Sequence, residues 1–263
     1  MADGLTVFSV QFVCQEYFVR HDKRRPDELR PLSFQRGFTR QAPGSVLVRS
    51  GETMVLCTCT VEESVPPFLI GKGKGWLTAE YAMLPGSTNT RKARSGMGKV
   101  DGRSVEIQRL IGRALRAVVD LDKLGERTLY LDCDVLQADG GTRTAAINGA
   151  FVALSDALAA LSIRPVREGM APMPKPGDVI RDSVAAVSVG LLGEDVWLDL
   201  CYVEDRDADV DMNLVMTGSG RLIEVGAGGE EATFTRGQLE ALLAVGTRGI
   251  EEITRAQRAA LAL

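Results

Sequence analysis

The sequence contains few of the residues on which several large enzyme classes depend. Its 263 residues include one histidine, His21, which lies outside every motif considered below. Histidine-based catalytic triads and HExxH metalloproteases therefore find no support. The 5 cysteines are odd in number and show no CxxC spacing. This pattern predicts buried free thiols in a reducing compartment, not a disulfide framework.

Long apolar runs and targeting signals are also lacking. No apolar run approaches the ~20 residues that cross a membrane, and the N-terminal segment lacks the basic start and cleavage site of a signal peptide. We therefore expect a cytoplasmic protein without membrane association. The run of glycine and lysine at residues 71–75 lacks the GxxxxGK[ST] spacing of a P-loop and predicts a turn or flexible loop.

The formal charge is −4 overall, but it is unevenly distributed. Residues 1–120 carry 18 Lys and Arg against 12 Asp and Glu, which gives +6, and residues 121–263 carry −10. Such asymmetry can mark a nucleic-acid surface on one portion of a chain. One basic cluster spans residues 20–30.

Arginines in two other places are candidates for contact with RNA phosphates. Arg91 and Arg94 lie in a loop among Ser, Thr, Asn and Gly, and are the better RNA candidates. Arg109, Arg113 and Arg116 share one face of a predicted helix. That face suits solvent, salt bridges or a subunit contact, and an RNA contact is the alternative.

The segment at residues 132–144 is the most informative part of the chain. An apolar, strand-like stretch at residues 128–136 leads through two glycines into an Ala- and Leu-rich stretch at residues 145–161, which predicts a buried helix. The glycines would let the backbone approach a ligand closely.

Thr142, Arg143 and Thr144 fall in the first turn of that helix. Free N–H groups, hydroxyls and a forked guanidinium at a helix N-terminus favour phosphate. The alternative is an ordinary helix N-cap with a surface arginine.

Residues 202–213 read YVEDRDADVDMN and follow an apolar strand. Their acids are Glu204, Asp205, Asp207, Asp209 and Asp211. Carboxylates this dense repel one another unless cations lie close, and oxygen-only clusters suit Mg²⁺ or Mn²⁺. The spacing does not fit an EF-hand loop, and a solvated acidic loop is the alternative. A phosphate cradle and a hard-metal cluster together indicate phosphoryl transfer.

The order of predicted elements indicates an α+β fold with an internal duplication. One hairpin is predicted at residues 45–63, a similar one at residues 183–205, and a third at residues 214–225. The first half then supplies helices at residues 105–121 and 145–161, and the second a helix at residues 235–261. We predict two βαβ-type halves, at about residues 25–163 and 178–263, joined by a Pro-rich linker at residues 164–177.

Four motifs, at residues 75–88, 101–116, 131–147 and 202–213, closely resemble the ribonuclease PH family, in the same order along the chain. The resemblance extends from about Pro26 to the C-terminus. It implies a single catalytic domain at residues 25–263 with a ribonuclease PH-like fold, which resembles ribosomal protein S5 domain 2. Residues 1–24 precede it as an added strand, a disordered or extraneous extension, or the product of a start codon assigned too early.

The resemblance also implies an activity. The family comprises phosphorolytic 3′-to-5′ exoribonucleases that trim tRNA precursors and other RNAs with inorganic phosphate, release nucleoside diphosphates and can add nucleotides in reverse. Mg²⁺, with Mn²⁺ as an option, is the implied metal, and a hexameric ring built as a trimer of dimers is the implied assembly. A catalytically silent RNA-binding ring subunit and a metal-dependent hydrolase or kinase of small phosphorylated molecules are the alternatives.

Individual roles follow from the matching motifs. Phosphate binding is implied for Arg103, Gly141, Thr142 and Arg143. Catalysis and metal binding are implied for Asp205 and Asp211, and RNA contact for Arg91 and Arg94. Asp199 is expected to be structural first.

Overall fold

Two β-sheets, one from each half of the chain, carry the fold in the computed structural model. The structure describes residues 20–93, 101–165 and 171–263. The first sheet contains β1 (Leu32–Arg36), β2 (Gly44–Ser50), β3 (Thr53–Glu62), β4 (Trp76–Met83) and β5 (Thr128–Gln137), in the order β1-β2-β3-β5-β4. A 3₁₀ turn at Pro67–Leu69 precedes β4.

Three helices accompany the first sheet: α1 (Gly102–Val118), α2 (Leu121–Leu124) and α3 (Thr142–Ser162). Strands β4 and β5 pair in parallel, with α1 and α2 in the crossover between them. This is the predicted βαβ unit of the first half.

The second half begins with α4 (Pro176–Val179) and continues with β6 (Val184–Leu192), β7 (Asp195–Leu198), α5 (Tyr202–Asp207), β8 (Val210–Thr217), β9 (Leu222–Gly229) and α6 (Arg236–Leu261). Its sheet has the order β7-β6-β8-β9, and its neighbouring strands are antiparallel throughout the residues that the structure describes. The second half therefore differs from the βαβ unit expected of it. Its terminal helix α6 packs on the sheet as α3 packs on the first.

Helix α3 lies between the two sheets, because it is apolar around its whole circumference. It packs on β2 and β3 and also reaches β6 of the second sheet. Asn148 on α3 joins the sheet through both atoms of its amide: Nδ2 donates to the Ala186 carbonyl (2.9 Å) and Oδ1 accepts from the Ala186 N–H (2.8 Å). By length and composition α3 resembles a membrane span, but 78% of its most apolar window is buried inside the protein, which identifies a core helix.

The predicted hairpins at residues 45–63 and 214–225 are confirmed. The prediction at residues 183–205 is correct for β6, the turn and the start of β7, but wrong at its end. The strand stops at Leu198 because Asp199 adopts a left-handed backbone conformation, with φ of 53°. The following residues form α5, whose start is capped by the Glu204 carboxylate accepting from the Cys201 N–H at 3.0 Å.

Much of the basic cluster at residues 20–30 is bound internally, although Lys23 and Arg25 are exposed. Arg20 is buried and donates through Nε to Glu204 (2.8 Å), and it lies 5.3 Å from the centre of the Trp197 ring. Arg24 lies 3.5 Å from the same carboxylate. The fold thus includes residues before position 25, where the catalytic domain was expected to begin.

The remaining single-residue expectations can be compared with the structure. His21 is exposed, as predicted. Four cysteines, Cys57, Cys59, Cys133 and Cys201, are free and buried, which confirms the expectation for them, and Cys14 lies outside the described residues. Arg113 pairs with Glu224 and Arg116 donates to the Leu77 carbonyl at 2.9 Å, so these two helical arginines have structural partners.

Candidate active site

The sequence motifs meet in a cleft between the two halves, which has two adjoining compartments. The smaller, of about 350 Å³, is lined by charged and polar residues and glycine: Arg103, Gly141, Thr142, Arg143, Ser188, Asp205, Arg206, Asp211, Asn213 and Glu230. The larger, of about 520 Å³, shares Arg103, Gly141, Thr142 and Asp205 with it. The shared residues make the two compartments one continuous groove.

The double-glycine turn brings the first half into contact with the second. Both Gly140 and Gly141 have positive φ, of 71° and 62°, which favours glycine. A Cβ on Gly140 would lie 2.6 Å from the Leu200 carbonyl oxygen, so only glycine allows this approach. Asp139 completes the junction, since its Oδ1 accepts from the Tyr202 N–H at 3.2 Å.

A buried ion pair between Arg30 and Asp199 holds the double-glycine turn in place. Arg30 donates through Nη2 to Asp199 Oδ1 (2.7 Å) and through Nη1 to the Asp139 carbonyl. Burial alone would raise the pKa of Asp199, but the charge and hydrogen bonds of Arg30 outweigh it, so the pKa lies below its ordinary value. Asp199 thus has the structural role expected of it, and the pair connects the phosphate turn to the second half.

The turn leads directly into α3, whose first residues face the cleft. Thr142 is buried, and its hydroxyl lies 2.8 Å from that of Tyr81. Arg143 is half-buried and donates to the exposed Glu106 at 3.1 Å. The backbone N–H groups of the first turn have no partner within the helix, and they carry the positive end of its dipole. Together these groups form an anion site.

Arg103 reaches the same place from a second helix N-terminus. Asp101 caps α1 by accepting from the Arg103 N–H (3.3 Å) and the Ser104 hydroxyl (2.8 Å). This cap fixes the backbone and leaves the exposed Arg103 guanidinium on the cleft wall. Two helix N-termini, each with an arginine, therefore converge on one space.

The acidic residues at positions 204–211 have different partners in the structure. Glu204 pairs with Arg20, Asp207 pairs with Arg206, and Asp209 accepts from the Gly193 N–H at 2.8 Å. Only Asp205 and Asp211 of this set line the cleft. Their carboxylates make no hydrogen bond or ion pair with any residue in the described part of the chain, so both are available to a ligand.

The pKa of Asp205 is raised above its ordinary value. Partial burial in the cleft raises its pKa, and repulsion from Asp211 raises it further, while Arg103, Arg143 and Arg30 oppose the shift. These interactions indicate that the carboxylates of one half lie within electrostatic reach of the arginines of the other.

The chain is similar to several known proteins. Residues 28–159 match domain 1 of the 3′ exoribonuclease family, RNase PH, and residues 182–249 match domain 2. Ribonuclease PH of Rhodopirellula baltica is 58% identical over 241 residues, which cover 91% of this chain and 97% of that protein. The chain belongs to the ribonuclease PH family. Ribonuclease PH of Bacillus subtilis is 54% identical over 245 residues, covering 92% of this chain and 97% of its own length.

Solved structures confirm the ribonuclease PH-like fold. The crystal structure of rice (Oryza sativa) Rrp46 superposes with a TM-score of 0.74 at 20% identity, and covers 93% of this chain and 100% of that one. A chain of the Archaeoglobus fulgidus exosome, whose structure has RNA bound to the active site, gives 0.71 at 22% identity, covering 90% and 91%. At these identities the likeness concerns the fold alone.

For this ribonuclease PH family member, the RNA candidates are only partly placed. Arg91 is exposed and lines the larger compartment beside Lys92. Arg94 lies outside the described residues, so its role stays a prediction.

The carboxylates that line the smaller compartment are those of Asp205, Asp211 and Glu230. No group of three or more side chains close enough to hold one metal ion occurs in residues 20–93, 101–165 and 171–263, so a metal would be held by fewer protein ligands.

Several lining residues were missed in the sequence. Asn213 lies two positions after Asp211 on β8, so both side chains point to the same face of the sheet. Because side chains alternate between the two faces of a strand, the position of Asp211 could have identified Asn213 in the sequence. Tyr202 lies three positions before Asp205 on α5, and it was missed because this segment was expected to be a strand.

Proposed function

We propose that this ribonuclease PH family member shortens RNA from the 3′ end by phosphorolysis, with Arg103, Gly141, Thr142 and Arg143 binding inorganic phosphate and Asp205 and Asp211 acting on the scissile bond. The chain is a phosphate-dependent tRNA nucleotidyltransferase, with orthophosphate as co-substrate. The observation that carries the assignment of roles is the convergence of two arginine-bearing helix N-termini with two unpaired carboxylates in one cleft.

The positively charged groups at the starts of α1 and α3 bind and orient the attacking phosphate. Backbone N–H groups at the start of α3, the Thr142 hydroxyl and the two guanidiniums surround a phosphate-sized anion and oppose its charge. Glu106, the present partner of Arg143, is exposed and can turn into solvent when phosphate pairs with Arg143. A phosphate oxygen then attacks the phosphorus of the last phosphodiester.

The carboxylates of Asp205 and Asp211 act on the leaving group. As the new P–O bond forms, the bond between phosphorus and the 3′ oxygen of the preceding nucleotide breaks. That oxygen takes up a proton, which a carboxyl in the cleft can donate, and the direction of the Asp205 shift, with its pKa raised by burial and by Asp211, suits that role. The products are a nucleoside diphosphate and an RNA one nucleotide shorter. Because the product keeps a phosphoanhydride bond, the step is reversible.

Two carboxylates without other partners fit Mg²⁺, or Mn²⁺ in its place. Mg²⁺ commonly binds through one or two carboxylates plus substrate phosphates and water, which is the donor set that Asp205 and Asp211 would offer. When bound there, the ion would neutralise charge that develops on the phosphate oxygens. A shift of the Asp205 titration on adding Mg²⁺, followed by NMR, tests this binding.

The wider setting follows from the family. We infer tRNA precursors as substrates, with Arg91 and Arg94 contacting the RNA, a homo-hexamer built as a trimer of dimers, and a cytoplasmic location. Light scattering of the full chain during size-exclusion chromatography tests the assembly. A monomer at micromolar concentration would contradict it.

The deciding experiment incubates a tRNA that has extra 3′ nucleotides with enzyme and Mg²⁺, with and without orthophosphate. We expect nucleoside diphosphates only when phosphate is present. Monophosphates formed without phosphate would indicate a hydrolytic nuclease and overturn the proposal. No product with RNA still bound would favour a catalytically silent ring subunit.

Arg143→Ala tests the phosphate cradle. Loss of a charged hydrogen-bonding partner should raise the KM for phosphate about ten- to a hundredfold, with a smaller change in the KM for RNA. Arg109→Ala is the matched control, because Arg109 is exposed on α1 and lines neither compartment. Equal phosphate dependence in the two variants would remove Arg143 from the cradle.

A further inference from the structure

The two compartments of the cleft differ in chemistry. Among the described residues, those lining the smaller one are charged, polar or glycine, as a phosphate requires. The larger one adds apolar and aromatic surface from Met83, Ala138 and Tyr202 to polar residues from the loop after β4. A groove that changes in this way from charged to partly apolar matches a nucleotide, whose phosphate is charged and whose base has two apolar faces.

Tyr202 is the aromatic residue of the larger compartment, and its side chain is free to bind. It is 55% exposed, although a tyrosine ring carries a large apolar surface. Its hydroxyl makes no hydrogen bond within the part of the chain that the structure describes. An exposed ring beside the reacting groups has no evident role in packing.

The backbone below this ring is nevertheless held firmly. The Tyr202 N–H donates to Asp139 Oδ1, and the same first turn of α5 is anchored by the buried pair of Glu204 and Arg20. Tyr202 and Asp205 are three positions apart on this short helix, so they lie on neighbouring parts of one face. The backbone that carries the ring is thus held next to the carboxylate that serves the scissile bond.

We propose that Tyr202 is a stacking platform for the base of one of the two nucleotides that flank the scissile phosphodiester. This inference rests on the proposed function and adds a nucleobase subsite to it. Every base has a π-face, so stacking on an aromatic ring is tolerant of sequence. An exonuclease that removes successive nucleotides needs such tolerance, and a hydrogen-bonding pocket would discriminate among bases. Tyr202 therefore aligns the 3′ end without selecting it.

The test measures the dissociation constant of a short single-stranded RNA without phosphate, so that no turnover occurs. Tyr202→Ala should weaken binding about five- to a hundredfold, the range of one base–aromatic stack. Tyr202→Phe keeps the ring and should bind within about twofold of wild type. Val203→Ala is the matched control, because Val203 is the next residue, is 42% exposed and lines neither compartment.

Abasic RNAs show whether the ring acts on a base. An abasic site at the terminal or the penultimate nucleotide should weaken binding to wild type but have little further effect on Tyr202→Ala. Coupling at either position supports the platform and identifies the base. Independent effects of the abasic sites and the substitution, or unchanged binding by Tyr202→Ala, would overturn it.

Failure of this inference and failure of the proposed function give different results. The platform is judged from binding alone, and the proposed function from the appearance of nucleoside diphosphates with phosphate. In turnover assays Tyr202→Ala should raise the KM for RNA while the KM for phosphate stays unchanged. A rise in the KM for phosphate instead would mean that Tyr202 shapes the cradle and is no base platform.

Discussion

The two halves of the molecule bring opposite charges to the same cleft. The first half contributes Arg103 and Arg143 from the N-termini of α1 and α3, and the second contributes Asp205 and Asp211 from α5 and β8. The sheets that support these groups also differ, since only the first contains a parallel pair among the described strands. The two halves therefore form complementary parts of one site, with the arginines on one and the aspartates on the other.

Neighbouring acidic residues in the segment at residues 204–211 have different roles. Glu204 and Asp205 are adjacent in the chain, yet Glu204 is buried against Arg20 and Asp205 opens into the cleft. The first anchors α5 and the second is available to substrate. Glu204 and Asp207 pair with arginines and Asp209 accepts from a backbone N–H, whereas Asp205 and Asp211 have no such partner among the described residues.

Removing the charge of one cleft carboxylate should have the largest effect on activity. Asp211→Asn keeps the size of the side chain but removes its charge, and we expect turnover to fall about 10²- to 10⁴-fold, the range for loss of a group acting on the reaction itself. RNA binding should change little, because the arginines remain. Single-turnover cleavage at saturating phosphate, with RNA binding measured separately, checks both statements.

Asp209→Asn is the control for this experiment. Asp209 belongs to the same acidic run, but its carboxylate accepts from the Gly193 N–H outside the cleft, and an amide oxygen can keep that bond. Its turnover should stay within about twofold of wild type. If both variants lost activity equally, the charge of the whole run would matter and the assignment to Asp211 would be wrong.

The second prediction compares two ion pairs that join the halves. Asp199→Asn removes the charge partner of the buried Arg30 and should lower the free energy of unfolding by about 3–5 kcal/mol. Glu224→Gln removes the partner of Arg113 at the surface and should cost about 0–1 kcal/mol. Urea unfolding followed by circular dichroism measures both. Equal losses would mean that burial does not determine how the halves are joined.

Much of the fold could be predicted from sequence, because its signals are local. Hairpin turns at glycine, the apolar stretch that becomes α3 and the capped helix α6 all depend on residues close in the chain. The motif at residues 140–143 also predicted a helix start, and α3 begins there at Thr142. Periodicity and turn chemistry suffice for such elements.

The rest depends on contacts between distant residues. The start of α5 was misassigned because its anchor, Arg20, lies 184 positions from Glu204. The basic cluster at residues 20–30 was considered for RNA, yet three of its four arginines, Arg20, Arg24 and Arg30, pair with carboxylates at residues 199 and 204. No local pattern reveals which charges become internal. The expectation for Arg94 stays a prediction.

The smallest expected effect concerns the cost of keeping Asp205 ionised. Its pKa in the folded protein lies above the ordinary value of 3.8, so ionisation of this group disfavours folding once the pH rises through the unfolded and then the folded pKa. Asp205→Asn removes that cost and should raise the melting temperature at pH 7 by the order of 1 °C, while abolishing most turnover. The gain should shrink as the pH falls toward 4, because the raised pKa of Asp205 lets the folded protein take up a proton at a higher pH than the unfolded chain. Thermal unfolding at both pH values, with EDTA and without phosphate, measures the difference. A lower melting temperature for the variant at pH 7 would mean that the arginines of the first half stabilise the Asp205 carboxylate more than burial and Asp211 destabilise it.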